Sequence, residues 1–327
     1  MQPLNPLLSI DKLCSLLKAS GATVLVAWGA EDDSGYWSKA MALREQVPAL
    51  RHVIHVAPVD GAGVQPLPAG IRDLDTLMAT EPADHLVSGR HIGADEVCAY
   101  FHTGGTTGAP KLARHTHGAQ VFMAWSYVQM QGLLPGDVAI NGFPLFHVAG
   151  VLPGSLAALS AGVHVVIPTT GLFRNREVIR NYWKLVERYR ATVLSGVSTV
   201  LTALTEVPLD GADISSLRYA RTGAAPLTPE LAARFTKLFG LHIYETYGMT
   251  ETITHIAAKR VGEKAFTVLP DVTVSYDERN CLVIHAPKIS DDVIVTNDIV
   301  ELVNENQFIF LGRMDNVINS EIGRAHV

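Results

Sequence analysis

The chain has 327 residues, 48% of them hydrophobic and 18% charged, so it can bury a large core and is not a disordered segment. A formal charge of −6 leaves no basic surface to select nucleic-acid phosphates, and a small molecule is the expected partner. Three scattered cysteines, Cys14, Cys98 and Cys281, exclude a disulfide framework or a cysteine zinc site and fit buried thiols in a reducing compartment.

Residues Met1 to Ile10 lack a basic region and a small-residue cleavage site, so no signal peptide is expected. No apolar run is long enough to span a bilayer, and the expectation is a soluble cytoplasmic protein whose oligomeric state the sequence does not give. Short β-branched runs predict strands over Ala22 to Ala27, Arg51 to Val56, Val97 to Thr103 and Val163 to Ile167. Apolar spacing predicts helices over Trp37 to Gln46, Thr116 to Gln131 and Gly154 to Ala161. The alternation continues with a helix over Val178 to Tyr189, a strand over Thr192 to Ser195 and a helix over Ser198 to Leu204. A strand over Leu217 to Thr222, a helix over Pro229 to Phe239 and a strand over His242 to Tyr247 complete it. Strands and helices taking turns specify a layered α/β fold with mostly parallel sheets, whose ligands sit at the carboxyl ends of the strands. After about Ala258 the runs Asp271 to Ser275, Cys281 to His285, Val293 to Val303 and Gln307 to Leu311 are joined by polar turns, which predicts a small antiparallel β subdomain.

The segment His102-Thr103-Gly104-Gly105-Thr106-Thr107-Gly108-Ala109-Pro110-Lys111 follows a predicted strand and precedes a helix. Glycines let backbone approach a polyphosphate, threonine hydroxyls donate to it, and Lys111 neutralises charge. It is neither a Walker loop nor a dinucleotide fingerprint, since both spacings are absent, and taken alone it is better read as a flexible Gly/Thr loop. Further on come Phe143-Pro144-Leu145-Phe146-His147, Arg221-Thr222-Gly223-Ala224-Ala225-Pro226-Leu227, Tyr244-Glu245-Thr246-Tyr247-Gly248-Met249-Thr250-Glu251, Thr296-Asn297-Asp298 and Gly312-Arg313-Met314-Asp315. Singly, each has a bland reading: a structural histidine, a tight turn, a solvated acid, a turn aspartate, a surface arginine. The histidines His102, His115 and His117 lack an acidic companion and helical spacing, and are read as non-metal.

Together and in this order, the segments resemble the adenylate-forming superfamily that includes acyl-CoA synthetases, luciferases and peptide-synthetase adenylation domains. The resemblance implies an adenylation domain over residues 1–258, a small β subdomain over 259–312 and a hinge remnant over 313–320. It implies ATP, Mg²⁺ and coenzyme A as cofactors and a carboxylic acid as substrate. Thr103, Gly104, Gly105, Thr106, Thr107, Gly108 and Lys111 would hold the β- and γ-phosphates. Gly223, Ala224 and Ala225 would lie against adenine, Tyr247 and Gly248 would flank it, and Thr250 would bond the α-phosphate. Glu251 would hold the magnesium, His147 would line the acyl pocket, Asp298 would bind both ribose hydroxyls with Arg313 nearby, and Asp315 would be the hinge. Two residues depart from the pattern: Gly104 stands where the family usually has serine, and Asn297 replaces a glycine, as in ligases acting on o-succinylbenzoate.

The implied chemistry is attack of the carboxylate on the α-phosphorus of ATP, loss of pyrophosphate, and transfer of the acyl group to coenzyme A. Catalysis would rest on positioning and charge neutralisation by Lys111, the threonines and Glu251. A fatty acyl-CoA synthetase is the leading expectation, o-succinylbenzoate-CoA ligase the second, and a nucleotide-binding remnant without turnover the third. Against the family pattern the chain reads as truncated at both ends, without the C-terminal lid domain and its lysine. Residues 321–327, Glu-Ile-Gly-Arg-Ala-His-Val, match a reading frame of a common sequencing adapter and are expected to be a non-native tail. The stretch 249–257 is also a candidate join between two ligase-like sequences.

Overall fold

The computed structural model describes residues 1–29, 35–58, 66–103 and 111–314. Contacts divide the chain into two units, one drawn from residues 1–93 with 111–113, the other from 94–103 with 114–314.

In the first unit, α1 (Ile10–Ser20) starts where the Ser9 hydroxyl accepts from the Lys12 amide and stops at left-handed Gly21. The strands β1 (Val24–Trp28), β2 (His52–Val56) and β3 (Ile71–Asp73) pair in parallel, with α2 (Tyr36–Gln46) and α3 (Leu74–Met78) between or after them. Leu13, Leu17, Leu25, Trp37, Leu43 and Val53 form the core.

The second unit opens with β4 (Val97–Thr103); β5 (Lys111–Thr116), whose first three residues belong to the first unit, runs into α4 (His117–Gln131), whose first turn is capped by the Thr116 hydroxyl. There follow β6 (Val138–Ile140), α5 (Val148–Val151), α6 (Ala157–Ser160), β7 (His164–Val166), α7 (Arg176–Arg180), α8 (Tyr182–Tyr189), β8 (Val193–Ser195), α9 (Ser198–Thr205), β9 (Tyr219–Gly223) and α10 (Pro229–Phe239). The remaining elements are all strands: β10 (Ile243–Met249), β11 (Thr254–Arg260), β12 (Phe266–Val268), β13 (Thr273–Tyr276), β14 (Cys281–His285), β15 (Ile294–Asn304) and β16 (Gln307–Arg313).

These strands make one eleven-stranded sheet in the order β13-β14-β15-β16-β12-β11-β10-β9-β8-β6-β7. It is parallel from β7 to β10 and antiparallel from β10 onward. Successive strand residues point to opposite faces, which sorts Ala139, Val193 and Tyr219 into one core and Ile140, Leu194 and Ala220 into the other. The second core is closed by Tyr182, Trp183, Val186, Leu201, Leu204 and Phe235 from α8, α9 and α10. Each such fully buried side chain contributes on the order of 1.5–3 kcal/mol of apolar burial.

The expected elements are present in type and order; α1, α3, β3, β5, β6, β11 and β12 are additional to them, and three of the expected regions differ. The helix expected over 154–161 is instead α5 and α6 joined by a wide turn at Leu152–Leu156, where Pro153 supplies no amide hydrogen and Ala157 N–H reaches back to Leu152 O. The helix expected over 178–189 divides at Asn181, whose φ of −103° and ψ of 13° leave the helical region and whose side-chain amide donates to the Glu177 carbonyl beside its own backbone N–H. The antiparallel strands after residue 258 are not a separate sheet: β11 folds back on β10 and carries them onto the parallel sheet.

Candidate active site

Strands β9 and β10 run in parallel, and their carboxyl ends carry Arg221 to Ala225 and Tyr247 to Glu251 side by side, with Thr246 opposite Gly223. A side chain at Gly223 would sit 2.4 Å from Thr246 Oγ1, which itself donates to the Thr222 carbonyl at 3.0 Å. Ala224 takes the left-handed φ of +66°, a conformation costly for a residue with a Cβ and one that persists where surrounding structure enforces it. The turn is held from α9, where the Ser198 hydroxyl donates to the carbonyls of Ala225 and Pro226 at 3.3 and 2.9 Å.

Gly248 shows why the following segment needs glycine. The β10–β11 register shifts between Tyr247 and Gly248, and a Cβ there would lie 1.4 Å from the Thr254 carbonyl oxygen. Beyond it, the Thr252 hydroxyl accepts from Met249 N–H at 2.9 Å, and His115 Nε2 donates to the Thr250 carbonyl at 2.8 Å. His115 is fully buried, and burial holds it below the usual histidine range, so its neutral Nε2–H form makes this bond. Thr250 is thereby fixed through its backbone, while Glu251 is exposed beside it.

Three separated segments meet at one carboxylate. Asp298, 8% exposed, lies opposite Arg313 in the β15–β16 ladder. Its Oδ2 accepts from the Tyr247 hydroxyl, Arg313 Nε stands 3.7 Å from its Oδ1, and Thr296 Oγ1 accepts its amide hydrogen at 3.0 Å. Burial and the adjoining carboxylate push the Tyr247 phenol far above its ordinary range, so it stays protonated and donates. The Tyr247 ring packs against Phe266, Phe308 and Phe310.

Residues Gly104, Gly105, Thr106, Thr107 and Gly108 lie outside the described residues, as do Asp315, Asn319, Ser320 and the stretch 321–327. Thr103 ends β4, and Lys111 is the exposed first residue of β5, grouped by contacts with the first unit. His147 caps α5: its Nδ1 accepts from the Ala149 amide at 3.1 Å, which places the proton of the neutral ring on Nε2. Burial lowers its pKa to about 4, with a smaller push from His102.

A pocket of about 50 Å³ opens at the carboxyl ends of β8, β9 and β10. Gly223 and Ala224 line it, as do Phe143, Ala149 and Pro153 from the segment around His147; His147 itself is not part of the wall. Arg221 has no role in the sequence pattern beyond its place in the 221–227 segment, and Tyr127, Ser195 and His255 have none. Arg221 is 7% exposed, donates through Nε to the Ser195 hydroxyl, and lies 4.6 Å over the Tyr127 ring, on which His255 also stacks. Burial brings the guanidinium down to about 9, still charged at neutral pH, and burial with that charge holds His255 neutral with a pKa of about 3. Nothing in the sequence separates Arg221 from Arg218, three positions earlier in the same segment; burial alone distinguishes them, Arg218 being half-exposed and paired with Asp137.

A family model described as AMP-binding enzyme matches residues 1–277. The chain belongs to the AMP-binding enzyme family. Among AMP-binding relatives, a marinolic acid–CoA ligase from Pseudoalteromonas sp. (strain SANK 73390) is 32% identical over 259 residues, covering 76% of this chain and 38% of that protein. A feruloyl-CoA synthase from Amycolatopsis sp is 31% identical over 250 residues, 76% of this chain and 44% of the relative. The crystal structure of the anthranilate CoA ligase AuaEII in complex with anthranoyl-AMP superposes with a TM-score of 0.80 at 18% identity, covering 96% of this chain and 63% of that one, which shows the shared fold. The chain thus spans under half the length of these curated AMP-binding relatives. No helix among the described residues is long and apolar enough to cross a membrane.

Proposed function

We propose that this chain carries the nucleotide- and acid-binding half of an ATP-dependent carboxylate–CoA ligase that works through an acyl-adenylate. The observation that supports it most is the meeting of Tyr247, Asp298 and Arg313, which gathers three of the sequence segments around one buried carboxylate. Asp298 would accept from the ribose hydroxyls, a charge-assisted pairing that neutral partners do not match. Gly223 and Gly248 are required by the packing of Thr246 and Thr254 against them, and the small side chain of Ala224 on the pocket wall leaves space beside which a planar base would lie. Glu251, exposed beside a Thr250 pinned by His115, would hold a magnesium ion on the polyphosphate, and Lys111 with the threonines at 106 and 107 would neutralise its far phosphates. Magnesium would supply charge neutralisation, and no protein nucleophile is required. Coenzyme A thiol would then displace AMP from the acyl-adenylate.

The pocket beside Gly223 is the place for the acid. Its small volume and its buried guanidinium favour a compact acid over the fatty acid expected from the apolar first half of the sequence. Carboxylate-dependent exchange of labelled pyrophosphate into ATP tests the ligase reading. Exchange with at least one acid supports it, whereas tight ATP binding with no exchange for any of a broad acid panel supports the non-catalytic alternative. Absence of ATP binding removes both.

A further inference from the structure

Buried polar atoms in folded proteins have partners, and those that lack one need a reason. Four of them belong to residues that line the pocket at the ends of β8, β9 and β10: Arg221 Nη1, His255 Nδ1, Thr222 Oγ1 and Tyr127 Oη, each shielded from solvent and without a hydrogen-bond partner among the described residues. The most expensive is the guanidinium. Among the described residues its interactions, Nε with Ser195 and the face of Tyr127, are with neutral groups, and no carboxylate there lies close enough to shift its titration. The nearby acid Glu245 is engaged elsewhere, pairing with Lys259 at 3.0 Å and accepting from the Leu227 amide at 3.3 Å. An unpaired buried charge costs several kcal/mol, and folded chains retain one where a ligand completes it.

We propose that Arg221 determines specificity, pairing with a second anionic group on the acid substrate, so that the chain takes dicarboxylic acids or other carboxylic acids bearing an additional acidic group. The inference rests on the ligase reading and names the substrate class of that site. The geometry fits such a group. A volume of about 50 Å³ holds only a few water-sized groups, enough for a carboxylate and a methylene or two. Phe143, Ala149, Pro153 and Val197 supply apolar walls for the methylenes, while Arg221, Thr222 and Tyr127 offer donors to the anion. Neutral His255, stacked on Tyr127, can present either ring tautomer to the ligand. The wall shared with Gly223 and Ala224 places this anchor next to the segment assigned to adenine, where the other carboxylate of the acid would react.

The experiment is calorimetric titration of the 327-residue chain, with and without a non-hydrolysable ATP analogue, using matched pairs: malonate against propionate, succinate against butyrate, glutarate against valerate. The expected result is that one diacid binds at least about thirtyfold more tightly than its methyl-ended partner. Arg221→Met then abolishes the preference by weakening the diacid alone, and Arg221→Lys, which keeps the charge without the planar fork, retains a reduced preference. Equal binding of diacid and monoacid by the native chain overturns the proposal. So does an equal loss for both acids in Arg221→Met, which would make Arg221 a support of the fold or a partner of the reacting carboxylate. If Arg221→Met does not fold, Arg221→Lys carries the test: weakened diacid binding with monoacid binding unchanged supports the proposal, and an equal loss for both acids overturns it. The ATP analogue is titrated alone as well, so that a failure of the nucleotide site is told apart from a failure of the acid anchor.

Discussion

Replacing Gly248 by alanine should be the most damaging one-carbon change at the candidate site. The added Cβ would lie 1.4 Å from Thr254 O, 2.4 Å from Thr254 C and 2.8 Å from His255 Cα, where ordinary contact begins at 3.4 Å. All three atoms are backbone, so no side chain can rotate away, and relief requires β11 to move by about 2 Å. That separates the pairs Gly248 with His255 and Met249 with Thr254. Loss of about two ladder hydrogen bonds at roughly 1 kcal/mol each, added to overpacking strain of about 2 kcal/mol, gives a destabilisation of about 4 kcal/mol. Gly132→Ala provides the control: its φ of +57° makes alanine costly by about 1 kcal/mol, but nothing lies within 4 Å of the new Cβ. Urea unfolding followed by circular dichroism measures both. If Gly248→Ala costs no more than Gly132→Ala, the tight β10–β11 crossing is not the reason for glycine at this position.

The remaining predictions concern charge. His147 has a folded pKa of about 4 against 6.5 unfolded, so the unfolded chain takes up the proton first and stability is lost as pH falls through that window. Between pH 7 and pH 5 this amounts to about 2 kcal/mol. His147→Asn keeps an acceptor for the Ala149 amide, so the variant should lose about that much less over the same range; equal losses in the two proteins would refute the assignment. Asp137 is buried and accepts from Arg218, from Thr192 Oγ1 at 2.8 Å and from the Leu134 amide at 2.8 Å. Asp137→Asn should therefore cost about 3 kcal/mol in urea unfolding, and a change below 1 kcal/mol would show that the half-exposed Arg218 contributes nothing.

What was legible in the sequence was the part written locally. Apolar periodicity with caps set α10 at Pro229–Phe239, and the alternating strand runs set β4 and β14 to the residue. Three-residue strands such as β3, β6 and β12 carry too little pattern to be seen, because their pairing is decided by neighbours far away in the chain. The same holds for β11, which gave no strand signal yet joins the antiparallel strands to the main sheet. At the site, motif residues such as Gly248 and Asp298 explain their own identities once packing is known. The partners that pin them are a different matter: His115 lies 135 positions from Thr250, and Tyr127 stands far from the Arg221 it underlies, so spacing could not pair them. Arg221 stood in plain view within a quoted segment, but only its burial without a counter-charge gives it meaning.

The central claim is that Asp298, held between Tyr247 and Arg313, receives the ribose of a bound nucleotide. Its most direct test is equilibrium binding of ATP and 2′,3′-dideoxy-ATP to the native chain and to Asp298→Asn. The account predicts that the native chain prefers ATP by about tenfold or more and that the preference disappears in the variant. A native chain indifferent to the hydroxyls, or a variant that keeps the full preference, would contradict it.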